Sequence, residues 1–167
     1  MYYNIVKVLF IFCLVLFSGG FTFAAETKTL SAGVSLVDRV PVSLMGTWRV
    51  ASVLQDTDSP VNFKKQGVDI WNLSKSADVI TLSNPFTGAT ASISVKYVNK
   101  NTVRFSKEGN YDGQKLTDTV EITLNGDKFS GKNYLKLEVG ENGVVSKVKN
   151  ATYVLRGEKI SGTSILD

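Results

Sequence analysis

The sequence predicts an all-β protein. The expected architecture is a single antiparallel up-and-down β-barrel of about eight strands, spanning residues 45–167, with at most one short helix. Three observations carry this. From Met45 onward, short segments alternate apolar and polar residues, the period of two that gives a strand one dry and one wet face. Turn-forming clusters separate those segments: Asn84-Pro85-Phe86-Thr87-Gly88, Gly109-Asn110-Tyr111-Asp112-Gly113, Asn125-Gly126 and Glu141-Asn142-Gly143. The connections are short, and a run of hairpin-linked strands hides its edges by closing on itself.

Residues 1–24 read as a secretory signal. Lys7 is their only charge, the apolar run "VLFIFCLVLF" follows, and Thr22-Phe23-Ala24 offers a small-x-small cleavage site. That run is shorter than the roughly 20 residues a permanent membrane helix needs. The protein is therefore expected to be exported, periplasmic or extracellular, with no stable membrane insertion once the signal is cleaved. Residues 25–44 lack periodicity and read as a flexible or loosely docked leader.

The strands follow in order. Trp48, Val50, Ser52 and Leu54 share a face in "GTWRVASVLQ". "SPVNFKKQG" is then either a short helical lid or a surface loop. Ile80 and Leu82 form a dry face in "ADVITLSN", and Ala89, Ala91, Ile93, Val95 and Tyr97 form one in "ATASISVKYV". "NTVRF" sets Val103 and Phe105 inward. "LTDTVEITL" does the same with Leu116, Asp118, Val120, Ile122 and Leu124. "DKFSGKNYLKLEV" places Phe129, Gly131, Asn133, Leu135, Leu137 and Val139 on one face. "VVSKVKNATYVLR" and "KISGTSIL" complete eight segments.

Composition narrows the chemistry. The chain has one cysteine, Cys13, inside the signal, and no histidine. The exported domain therefore has no disulfide, thiol nucleophile, histidine base or zinc site of the usual kind. A core must hold it, and about 140 residues suffice for one. The formal net charge of +4 falls by one when Lys7 leaves with the signal. The remaining lysines are scattered along wet strand faces, so nucleic acid is not an expected partner. No nucleophile elbow, phosphate-cradling loop or metal cluster is present in the pattern, so neither catalysis nor a cofactor is expected.

Several polar residues fall on faces predicted to be dry: Ser52, Asp78, Asn101, Asp118, Asn133, Asn150 and Thr152. Asp78 and Asn101 stand at strand starts, where a shift of one residue turns them outward. The others either bond to one another or line a cavity that takes a ligand with polar parts, because an unpartnered buried polar group costs about 1–3 kcal/mol. Small residues on the same face, Ala89, Ala91 and Gly131, would leave room. The candidate interior set is Ser52, Asp118, Asn133, Asn150 and Thr152, with Tyr97 and Phe105 beside them.

The stretch "MGTWRV" resembles the opening of the calycins, the lipocalins and fatty-acid-binding proteins. In those families a G-x-W element begins the barrel, and an arginine or lysine from the end of the last long strand covers the tryptophan. The resemblance implies Gly46 and Trp48 for the first part and Arg156 of "TYVLRG" for the second. It also implies a lipocalin-like barrel that holds a small apolar or amphipathic ligand inside. The chain lacks the arginine-x-tyrosine pair of fatty-acid-binding proteins, since "TYVLR" reverses the order, so no fatty-acid site is carried over. The alternative function is a protein–protein module, or an inhibitor of a secreted enzyme, with a filled core and a secreted or envelope protein as partner. An outer-membrane barrel fits poorly with a lysine-rich wet face.

Overall fold

The computed structural model describes residues 35–111, 113–141, 144–161 and 164–165. The predicted signal, residues 1–24, and the leader up to residue 34 lie outside the described residues. After a 3-10 turn at Val42–Leu44 come β1 (Gly46–Thr57), β2 (Gln66–Ser76), β3 (Val79–Ser83), β4 (Thr90–Asn99), β5 (Thr102–Tyr111), β6 (Gln114–Asn125), β7 (Lys128–Glu141), β8 (Val144–Ser161) and a two-residue β9 (Ser164–Ile165). Each strand from β1 to β8 pairs antiparallel with the next, and β8 returns to pair with β1. The result is the closed eight-stranded meander that the alternation predicts. β9 adds a short parallel contact to β2 at Ser74 and Lys75.

Two segments differ from the strands read in the sequence. β2 is a strand that the alternation does not single out, because Val68 and Ile70 lie on its outer side while Trp71 and Leu73 point in. "VVSKVKNATYVLR" and "KIS" are not separate strands but one 18-residue strand, β8. "SPVNFKKQG" forms turns rather than a helix, with Asn62 N donating to Ser59 O at 3.0 Å.

The end of the barrel where β1 begins is closed by packing. Trp48 is fully buried, and its ring centroid lies 5.1 Å from that of Phe129. Trp71 stacks on Phe129 at 6.0 Å and meets Phe105 edge-on at 6.5 Å. Val40, Leu44 and Met45 are buried at the same end. Residues 35–44 are tied there by Asp38 to Lys75 (2.7 Å), Arg39 to Val98 O (3.3 Å) and Trp48 Nε1 to Leu44 O (2.8 Å). Gly46 makes the entry to β1 at a φ of 116°, which side-chain-bearing residues avoid. Gly157 makes room for the floor: a Cβ there would stand 2.2 Å from the Phe129 ring.

A bulge in β4 and the face parity of β8 correct three predicted inward residues and one predicted cap. In β4, the pairing steps from Val95↔Phe105 to Tyr97↔Arg104, so Lys96 is an extra residue and the strand's faces exchange. Val98 is buried there, and Tyr97, predicted to face the interior, is 45% exposed on the outer face. In β8, the residues that face in are Ala151, Tyr153, Leu155 and Gly157, set by pairing with Leu135, Asn133, Gly131 and Phe129. Asn150, Thr152 and Arg156 therefore face out. The cause is a single parity error: β8 carries apolar residues on both faces, so its alternation is ambiguous.

Candidate functional site

The opposite end of the barrel is not filled. A cavity of about 380 Å³ lies between the ends of β1, β6, β7 and β8, under the β1–β2 connection. Leu116, Leu135, Leu137, Phe63 and Tyr153 supply its apolar wall, and Ser52, Asn62, Lys64, Gln66, Gly67 and Asn133 complete the lining. Tyr153 Oη donates to Lys64 O at 2.9 Å, and Leu54 N donates to Lys65 O at 2.8 Å. These bonds hold the connection across the cavity, with Phe63 tucked beneath it. Burial pushes the Tyr153 phenol pKa upward, so the phenol is neutral and able to donate.

A polar cluster stands beside this apolar space. Asp118 of β6 is only 6% exposed, and its Oδ2 lies 3.0 Å from Lys107 Nζ, its cross-strand partner on β5. Burial pushes the Asp118 carboxyl up from the ordinary aspartate range, while the Lys107 ammonium and then the Asn133 side chain draw it back down. Asn133 is set on β7 opposite Val120, diagonal to Asp118. Asp118 Oδ1 and Asn133 Oδ1 are buried without a hydrogen-bond partner.

Of the predicted interior residues, Ser52 and Asn133 line the cavity, and Asp118 stands behind Asn133. Ser52 Oγ donates to Gly67 O at 3.3 Å. Phe105 is fully buried but belongs to the aromatic floor. Tyr97 and Thr152 do not reach the cavity. Asn150 instead holds a loop in place. Its backbone N and its Nδ2 donate to the Asp58 carboxylate at 2.8 and 2.9 Å, and its carbonyl accepts from Thr57 Oγ1 at 2.7 Å. Asp58 has a lowered pKa for this reason. The pair latches the β1–β2 connection to β8.

The cover over Trp48 comes from Lys159, whose Nζ lies 5.4 Å from the indole centroid. Lys159 is the cross-strand partner of Trp48, and its Nζ also donates to Ser43 O at 2.8 Å. Arg156, the predicted cap, is exposed and pairs with Ala51 on the outer face.

The alternation did not single out Lys107, Phe63 or Tyr153. Lys107 was within reach, because it continues the inward series Val103, Phe105 and faces Asp118 once β5 is extended past Phe105. Phe63 lies in a turn, where periodicity carries no information.

A second hollow of about 510 Å³ lies between residues 35–37 and β3–β4, and among the described residues no orphaned buried polar atom lines it. Among the described residues, no three His, Cys, Asp or Glu side chains gather as a metal site, and no helix is long and apolar enough to cross a membrane.

Comparisons with protein-family models, with curated proteins and with solved structures found no match to this chain.

Proposed function

We propose that the protein is an exported, lipocalin-like carrier that holds a small apolar or amphipathic molecule in the mouth of its barrel. The observation that carries this reading is the cavity itself: about 380 Å³ of mostly apolar wall, with Ser52 and Asn133 among its polar lining residues. Ligand sites of small molecules combine a largely apolar wall with a few placed polar groups, at volumes of roughly 300–1,000 Å³. The calycin resemblance supports the same reading through Gly46, Trp48 and Lys159, the lysine that answers the family's covering cation. Export rests on the signal read in residues 1–24.

Native mass spectrometry of the mature chain purified from its own host tests this. The expected spectrum contains a complex heavier than the chain by one small molecule, which denaturation releases. A bare chain that also takes up no apolar probe from solution overturns the carrier reading.

A further inference from the structure

The outer wall of the barrel carries an apolar band where β2, β1, β8 and β7 lie side by side. Ile70 and Val68 of β2, Ala51 and Val53 of β1, Val154 of β8 and Tyr134 of β7 run diagonally across it. The ladder fixes that diagonal: Ala51 stands opposite Val68, Val53 opposite Val154, and Tyr134 opposite Thr152, two residues along from Val154. Val68, Val53, Val154 and Tyr134 are 61, 56, 36 and 44% exposed. The next strand, β6, turns Thr117, Thr119, Glu121 and Thr123 to the same side instead. The inner faces of these strands supply the core, so the fold does not require valines on the outside. Apolar side chains gathered on a wet face mark an interaction surface.

The two long sides of the band differ in charge. Arg49, Arg156 and Lys132 lie along one side, opposite Ile70, Ala51 and Val154 in the ladder. Gln66 and Asp56 lie along the other, opposite Val53 and Thr152. Among the described residues, none of these four charges has an ion-pair partner within its own chain.

We propose that this band is the interface of a symmetric dimer, in which a second copy of the chain packs against it with the two-fold axis lying along the band. Such an axis turns one copy over onto the other and exchanges the two sides. Each apolar band then covers its twin, and the cationic side of each copy lies over the Asp56 side of the other. Lys132 and Asp56 stand at about the same height along the band, since Lys132 is two residues from Tyr134 on β7 and Asp56 faces Tyr134 across Thr152. Lys132 of each copy therefore meets Asp56 of the other. An anionic lipid surface would suit the cations but repel Asp56, whereas a second copy answers both sides. The band and its flanks number about ten residues, against the roughly 20–30 a side of a standard interface. The dimer is accordingly weak and reversible. It does not rest on the carrier reading, because the mouth cavity lies on the inner face of the wall.

Analytical ultracentrifugation of the mature chain, from about 1 to about 300 μM, tests this. A reversible monomer–dimer equilibrium with a Kd of about 1–100 μM is expected. Val53→Lys places a charge at the centre of the band and is expected to weaken the dimer by about tenfold or more, while Phe86→Lys, on an exposed turn away from the band, leaves it unchanged. Lys132→Glu and Asp56→Lys, each alone, oppose like charges twice across the axis and are expected to weaken the dimer. An equal mixture of those two variants restores both pairs. The introduced glutamate of one chain faces the introduced lysine of the other, and the remaining Lys132 faces the remaining Asp56. The mixture is therefore expected to associate more tightly than either variant alone. A chain that stays monomeric throughout overturns the proposal, whatever else the band binds. A dimer that Val53→Lys leaves intact, or a mixture no tighter than its components, overturns it as well. Each of these results leaves carriage standing.

Discussion

Lys159 Nζ lies 5.4 Å from the centre of the Trp48 indole, directly across the β1–β8 ladder. The same ammonium donates to Ser43 O of the 3-10 turn, so one side chain covers the tryptophan and pins the segment that closes the floor. The extra residue Ile160, where pairing steps from Thr47↔Ser161 to Trp48↔Lys159, sets this register.

Lys159→Ala is therefore expected to cost about 0.5–2 kcal/mol from the lost cation–π contact, with more from the unpaired Ser43 carbonyl. Arg156→Ala, on the exposed outer face, is expected to change stability by no more than about 0.5 kcal/mol. Urea unfolding followed by tryptophan fluorescence measures both. Equal losses for the two variants would contradict the assignment of the cap.

Gly157→Ala is expected to destabilise by about 1–3 kcal/mol, because the added methyl meets the Phe129 ring in a packed floor. A Cβ at Gly109 of β5 meets nothing within 4 Å, and its φ is not in the left-handed region. Gly109→Ala is the control, and its midpoint should match or exceed that of the parent. A Gly157→Ala protein as stable as this control would mean that the floor is looser than described.

The bulge at Lys96 makes a sharp distinction between two aromatics that the alternation treats alike. Phe105 is fully buried and its truncation to alanine should cost about 3–5 kcal/mol. Tyr97 lies on the outer face, so Tyr97→Ser should cost under about 1 kcal/mol. Thermal unfolding of the two variants checks this, and a large loss at Tyr97 would return it to the interior.

Two aspartates give pH dependences of opposite sign. The native Asp118 carboxyl has a raised pKa, so the native state holds more protons than the unfolded chain from about 3.9 up to the raised value. Its contribution to stability is greatest below that window and is lost as pH rises through it. Asp58 has a lowered pKa in the native state, so its contribution is present above the ordinary aspartate value and is lost as pH falls through the lowered one. On acidification from about pH 7, the parent should gain stability relative to Asp118→Asn, and should lose it relative to Asp58→Asn. Midpoints of urea unfolding across that range read both slopes, and parallel curves would contradict the assignment.

The barrel was legible because β1, β6 and β7 alternate cleanly and tight turns join their neighbours. Asp118 and Asn133 stood out for the same reason, as polar residues between Leu116, Val120, Gly131 and Leu135 on unambiguous faces. The rest was hidden by features that periodicity does not register. A one-residue bulge turned Tyr97 outward. Valines on both faces of β8 reversed the parity of Asn150, Thr152 and Arg156 together. The lid residue Phe63 and the anchor from Tyr153 to Lys64 depend on where a turn folds back, which long-range packing decides.

Carriage stands or falls on whether a ligand binds in the mouth cavity. Titration with N-phenylnaphthylamine, a neutral apolar fluorophore with a single N–H donor, tests it most directly when run on the parent and on Leu135→Trp, whose indole would occupy the space beside Asn133. Saturable one-to-one binding to the parent is expected, with binding weaker by about tenfold or more in the folded variant. Undiminished binding to Leu135→Trp, or none to the parent, would contradict the assignment of the cavity as the ligand site.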